Sequence, residues 1–257
     1  MMGAQCYGEC RGNVSFLLTD SRSLCFPEET LFFALRSARN DGQHYIAELY
    51  QRGVRRFVVA EVPDRWQANY ADATFLVVGD TLAALQQLAA RHRQRFTIPV
   101  VGITGSNGKT MVKEWLYQTL SKDHVVTRSP RSYNSQVGVP LSLWLLDAQT
   151  QVAVFEAGIS QPGEMQVLHD IIRPTLGVLT MIGEAHQEKV EHGDAARQQI
   201  AEQDGIVPLP DQHKHKLGQG TESHRPKRDI GGLFPHRRSY RYPFHPLLRF
   251  LPRPGPG

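Results

Sequence analysis

The chain has 257 residues, 40% of them apolar and 21% charged, with a formal net charge of +4. That length holds one large domain or two of ordinary size, and the apolar share is enough for a real core. No run of 18 apolar residues occurs and no charged segment leads into an apolar one at the N-terminus, so neither a spanning helix nor a signal peptide is expected, and the cytoplasm is the expected compartment. The positive charge is confined to one end. Residues 206–257 carry ten Lys and Arg against three Asp and Glu, whereas residues 1–205 carry 19 against 22. The charge balance therefore gives no reason to expect a nucleic-acid-binding face on the folded part. Cys6, Cys10 and Cys25 are odd in number and lack metal-ligand spacing, which makes them free thiols.

Residues 1–97 read as a small α/β unit. Phe16-Leu17-Leu18 leads into Thr19-Asp20-Ser21-Arg22, and residues 30–35 form a second apolar run. Residues 43–52 have helical character, residues 56–60 and 74–78 read as strands, and a helix with Leu82, Leu85 and Leu88 on one face closes the unit. Residues 98–203 read as a second unit. Its strands, at 98–103, 152–155 and 176–182, are continuous apolar runs rather than alternating ones, the mark of a mainly parallel sheet covered on both faces. From residue 204 the texture changes: nine of the sixteen prolines lie there among scattered His and Arg, and no periodicity persists. Such a stretch cannot bury enough apolar surface to offset its ordering entropy, so 204–257 is expected to be disordered or foreign to the rest of the chain.

The most informative stretch is Val-Val-Gly-Ile-Thr-Gly-Ser-Asn-Gly-Lys-Thr at 100–110, an apolar strand running into a glycine-rich turn and then a helix. Gly105, Ser106, Asn107 and Gly108 would turn successive backbone N–H groups toward one anion. Lys109 would add charge near the β/γ-phosphates, and the Thr110 hydroxyl would ligate Mg²⁺. Five residues separate Gly102 from Gly108 where the strict phosphate loop has four, so this is a variant loop; Gly-Lys-Thr alone also occurs in ordinary turns. Ligands of parallel sheets bind beyond the carboxyl ends of the strands. Glu156 stands at such an end, suited to Mg²⁺ or simply solvated there. His186 follows the third strand, where an imidazole would bind a metal or orient its water, or be structural. Asn134 lies in a loop opening a helix, as a site residue or as its N-cap.

Thr-Gly-Ser-Asn-Gly-Lys-Thr at 104–110, Asn134 with Gly138-Val139-Pro140, Glu156-Ala157-Gly158 and Glu184-Ala185-His186 resemble, in order, the signature of the Mur ligase family. Thr19 to Arg22 and residues 155–165 are most similar to the members that join D-alanyl-D-alanine to UDP-N-acetylmuramoyl-tripeptide, and the wording of 129–140 to those fused to an alanine racemase domain. The resemblance covers roughly residues 13–190. It implies an ATP-dependent amide ligase of peptidoglycan precursor synthesis that works through an acyl phosphate, as a cytoplasmic monomer with ATP and Mg²⁺. Lys109 would grip the phosphates, Thr110 and Glu156 would hold Mg²⁺, and His186 would serve a second metal. Asn134 would line the nucleotide site, and Ser21 and Arg22 would contact the uridine nucleotide. Two other readings stand beside it: a non-catalytic nucleotide- or UDP-sugar-binding fragment, and a related enzyme such as another Mur ligase adding one amino acid. The family's carbamylated lysine has no counterpart, Gln203 standing near its place. The remaining central and C-terminal domains are not seen either, so the chain reads as a truncated or frame-shifted piece, expected to be inactive alone.

Overall fold

The computed structural model describes residues 4–9, 12–37 and 40–181. Cys10, His186, Gln203 and the whole of 204–257 therefore lie outside the described residues. In chain order the first half comprises β1 (Gln5–Tyr7), β2 (Phe16–Leu18), β3 (Thr30–Phe33), β4 (Arg36–Ser37), β5 (Asn40–Asp41), α1 (Ile46–Gln51), β6 (Arg56–Val59), α2 (Trp66–Asn69), β7 (Thr74–Val77) and α3 (Thr81–Arg93). The second half comprises β8 (Val100–Thr104), α4 (Lys109–Leu120), β9 (Val126–Arg128), α5 (Gly138–Leu143), β10 (Val152–Glu156), α6 (Glu164–Ile172) and β11 (Leu176–Leu179).

The first sheet has the order β1-β7-β6-β3-β2, parallel except for β1 on β7. All four residues of β3 and of β6 are buried, which is why they read as unbroken runs. Phe32, Phe57 and Phe75 fill one face against α1, while Leu31, Phe33, Val58 and Leu76 fill the other against α3. The helical stretch expected at 43–52 is a 3₁₀ turn over Gly42–Tyr45 followed by α1. β4 and β5 pair as a small separate hairpin that the sequence did not announce.

The second sheet is wholly parallel, in the order β11-β8-β10-β9. Val101, Ile103 and Val154 face α4, and Val100, Ala153 and Phe155 face α5 and α6. The run expected at 176–182 differs from the expectation twice. Among the described residues the strand ends at Leu179 and lies at the edge of the sheet rather than covered on both faces, with Leu176 59% and Leu179 44% exposed, and Ile182 lies outside the described residues. Hydrophobic composition reports what a strand can bury, not whether a neighbour is placed to cover it.

α3 joins the two cores. Asp80 caps it through the N–H groups of Leu82 and Ala83. The buried stripe runs through Ala84, Leu85, Leu88 and Ala89, one step round from the expected Leu82, which is half-buried. Ala84, Leu85 and Leu88 pack on the first sheet, whereas Ala89 packs with Val139, Leu143 and Leu168 of the second unit. Arg93 completes the seam by donating to the carbonyls of Ile172 (2.9 Å) and Arg173 (3.1 Å) at the end of α6.

Candidate functional site

The phosphate loop lies at the carboxyl end of β8. Gly105 (φ +132°) and Gly108 (φ +84°) have backbone angles that L side chains rarely adopt, and Gly108 is the N-cap of α4. No side chain caps that helix, so its first N–H groups remain for an anion, at the positive end of the helix dipole. The loop is braced from beyond β11. Thr180 Oγ1 donates to the Asn107 carbonyl (2.6 Å), with the Thr104 carbonyl also in reach of that proton (3.1 Å), and the Ser106 N–H donates to the Met181 carbonyl (2.6 Å). Lys109 folds back over the loop, donating to the carbonyls of Gly105 and Ser106.

Beside the loop stands a buried charged cluster. Glu156, the last residue of β10, has no exposed surface, which overturns its reading as a solvated strand end. Its Oε2 accepts from Thr110 Oγ1 (3.1 Å), and the Thr110 hydroxyl also lies 3.3 Å from Ser132 Oγ. Its backbone N–H donates to Ser129 Oγ at 3.1 Å. Its Oε1 lies 2.8 Å from Lys113 Nζ, itself fully buried; this is a charge contact, because no donor is aligned on Oε1 as a hydrogen bond. A carboxylate with a facing hydroxyl at a phosphate loop fits the oxygen-only donor set of Mg²⁺, which takes one or two carboxylates and completes its shell with phosphate and water.

Asn134 belongs to this rim rather than to a cap. Its carbonyl accepts the Gly158 N–H at 2.7 Å, tying the 129–137 segment to the stretch after β10. The N-cap of α5 is Val137, without a side-chain cap, and Ser135 Oγ just before it accepts the N–H of Gly138, the first helical residue, at 3.1 Å. Thus the structure brings Gly105 to Thr110, Asn134 and Glu156 to one edge, while His186 lies outside the described residues. Sequence reasoning missed Lys113, Ser129 and Thr180. Lys113 had a faint signal: it falls one helical turn after Lys109 and so shares its face.

Ser21 and Arg22 lie elsewhere, in a 3₁₀ turn after β2 that borders a cleft of about 440 Å³. Asp20 caps the turn through the Arg22 N–H (3.1 Å) and pairs with the Arg22 guanidinium (2.7 Å). That guanidinium holds the Asp20 carboxyl below the usual carboxylate range. Ser21 is buried and its carbonyl accepts from Arg52 Nη1 at 2.9 Å. Arg22 is exposed, and Ser37, Asn40 and Tyr45 line the cleft with it.

A parallel sheet with an anion loop after one strand and a buried carboxylate ending the next defines a phosphate-binding α/β domain. Residues 103–203 match the Mur ligase middle domain. Over that stretch the chain is similar to the Mur ligase family, and the relatives it matches extend the likeness to the residues before it. It is 39% identical over 175 residues to a Synechocystis UDP-N-acetylmuramoyl-tripeptide–D-alanyl-D-alanine ligase, covering 67% of this chain and 37% of that protein. Among solved structures it is similar to UDP-N-acetylmuramoylalanyl-D-glutamyl-2,6-diaminopimelate–D-alanyl-D-alanyl ligase from Acinetobacter baumannii, with a TM-score of 0.65, 31% identity, and 76% of this chain and 42% of that one covered. MurF ligase from Thermotoga maritima in complex with ADP gives a TM-score of 0.59 at 28% identity, covering 74% and 42%. The chain thus spans about two fifths of the length of the relatives it matches. Among the described residues, no helix is long and apolar enough to cross a membrane.

Proposed function

We propose that this chain is the UDP-sugar- and nucleotide-binding portion of an ATP-dependent ligase that joins D-alanyl-D-alanine to UDP-N-acetylmuramoyl-tripeptide in the cytoplasm. One observation carries the reading: the Thr110 hydroxyl, at the start of the phosphate-loop helix, lies 3.1 Å from a carboxylate oxygen of the fully buried Glu156. That pairing sets an anion cradle and a cation-holding group side by side, as phosphoryl transfer from a nucleotide requires.

In this reading residues 1–97 bind the UDP-sugar, with Ser21 and Arg22 at the cleft, and residues 98–203 form part of the ATPase domain. The N–H groups of Gly105 to Gly108 and the Lys109 ammonium receive the ATP phosphates. Asn134 lines the nucleotide side. Thr110 and Glu156 hold Mg²⁺, with His186 as a further metal ligand on the sequence motif alone. When bound, Mg²⁺ offsets the repulsion between the tripeptide carboxylate and the γ-phosphate. An oxygen of the carboxylate attacks the γ-phosphorus, the bond to the β-phosphate oxygen breaks, and ADP leaves. The dipeptide amine then attacks the acyl carbon, phosphate departs, and the amine gives up its proton. The residues of this rim supply placement and charge, which dominate such reactions.

Titration calorimetry of the full chain with ADP and Mg²⁺ tests the cradle. Lys109→Ala is expected to weaken binding by ~1.5–3 kcal/mol, the range for a hydrogen bond to a charged group. Equal affinity in the wild type and the variant would remove the phosphate-loop assignment.

A further inference from the structure

Lys113 is a lysine with no exposed surface, which is rare unless the charge is paired for a purpose. A buried ion pair adds little net stability, because desolvation offsets most of the attraction, so this one calls for another explanation. Its Nζ lies among oxygens from three segments: Glu156 Oε1 at the end of β10 (2.8 Å), the Arg131 carbonyl in the segment after β9, and Glu114 Oε1 on its own helix (3.4 Å). Glu114 Oε1 also takes Arg128 Nη1 at 2.8 Å, so charges alternate from the surface inward through Arg128, Glu114 and Lys113 to Glu156. Arg131, whose carbonyl Lys113 holds, has a left-handed backbone (φ +47°) that is uncommon outside glycine.

We propose that Lys113 is a positioning residue: it occupies Oε1 of Glu156, leaving Oε2 turned to Thr110 and the mouth of the phosphate loop, and it ties the Asn134 segment to α4. The inference rests on the proposed assignment of Glu156 to Mg²⁺. A lysine acting only as a strut would support the fold equally with or without metal. A lysine that orients a metal-holding carboxylate affects nucleotide binding chiefly when metal is present.

The test is ADP titration into the full chain in Mg²⁺ and in EDTA, for wild type, Lys113→Met, Glu156→Gln and the double variant. Lys113→Met is expected to lose about tenfold in affinity in Mg²⁺ and less than about twofold in EDTA, and to add nothing on the Glu156→Gln background, as coupled neighbours do. A loss of the same size in both buffers overturns the proposal. If Lys113→Met does not fold, the double variant removes both charges, and its comparison with Glu156→Gln decides. Equal affinities support positioning, and a further loss of about tenfold overturns it. A Glu156→Gln chain that keeps the full Mg²⁺ enhancement refutes the metal assignment, and this inference with it, whereas the Lys109→Ala result stands apart from both.

Discussion

Gly105→Ala and Gly108→Ala are the same chemical change three residues apart in one loop, yet the structure gives their effects different sizes. A Cβ at Gly105 would lie 2.2 Å from Thr180 Oγ1 and 3.0 Å from the N and O of Met181. Thr180 cannot swing aside freely, because its hydroxyl donates its one proton to the Asn107 carbonyl (2.6 Å), with the Thr104 carbonyl 3.1 Å away, a bond of ~0.5–1.5 kcal/mol. The φ of +132° adds ~1–3 kcal/mol for any residue but glycine. Together these give about 1.5–4.5 kcal/mol, a large part of the ~5–15 kcal/mol that holds a domain. At Gly108 the nearest atom, Thr180 Cβ, is 3.9 Å away, so only the left-handed backbone costs, ~1–2 kcal/mol. Urea unfolding followed by circular dichroism, with ADP calorimetry on the same samples, reads both effects. Gly105→Ala should destabilise the chain more than Gly108→Ala (about 1.5–4.5 against ~1–2 kcal/mol), seen as the lower urea midpoint, and abolish ADP binding. A Gly105→Ala chain as stable as Gly108→Ala would mean that the Thr180 brace does not hold the loop.

Two further predictions concern the seam. Burial pushes the His92 imidazole down to about 4, with Nε2 facing the Leu146 carbonyl at 3.0 Å. Below its ordinary value of 6.5 the unfolded chain takes up a proton that the folded chain refuses, so stability present above pH 6.5 should fall by about 3 kcal/mol between pH 6.5 and 4. His92→Phe should flatten that slope in urea titrations at several pH values, and an unchanged slope would assign the acid lability to other groups. Trp144 Nε1 donates to the Ser15 carbonyl at 3.1 Å, joining α5 to the first sheet. Trp144→Phe should cost ~0.5–1.5 kcal/mol, seen as a lower urea midpoint at unchanged slope; no change would mean that water replaces the bond without penalty.

What the sequence disclosed follows from how local each signal is. The strands β3, β6, β8 and β10 were legible because burial on both faces writes itself as a continuous apolar run. β9 was not: Val126, Thr127 and Arg128 are all half-buried, and three such residues carry no period. The phosphate loop was legible because the residues that form it are consecutive, and backbone geometry constrains each of them directly. Glu156 was legible from its place after an apolar strand, although its burial was not, since exposure at a strand end depends on what packs beside it.

Lys113 and Thr180 show why the rest was hidden. Each acts on the site through a contact between segments far apart in the chain: Lys113 across to Glu156, and Thr180 back to Asn107. A lysine at an inward helical position reads as a break in the apolar stripe of Val112, Leu116 and Leu120, and only the strand facing it shows that a carboxylate waits there. α3 obeys the same logic on a larger scale. Its sequence has one amphipathic stripe, which any single sheet would satisfy. Two sheets share it here because Ala89, a small residue, lets α5 and α6 approach where the larger Leu85 and Leu88 have already filled the first core. The side chains that couple the two halves are therefore those whose partners were invisible until the fold was known, His92, Arg93 and Trp144 among them. Substitutions there should change how the halves hold together while leaving the chemistry of the phosphate loop intact.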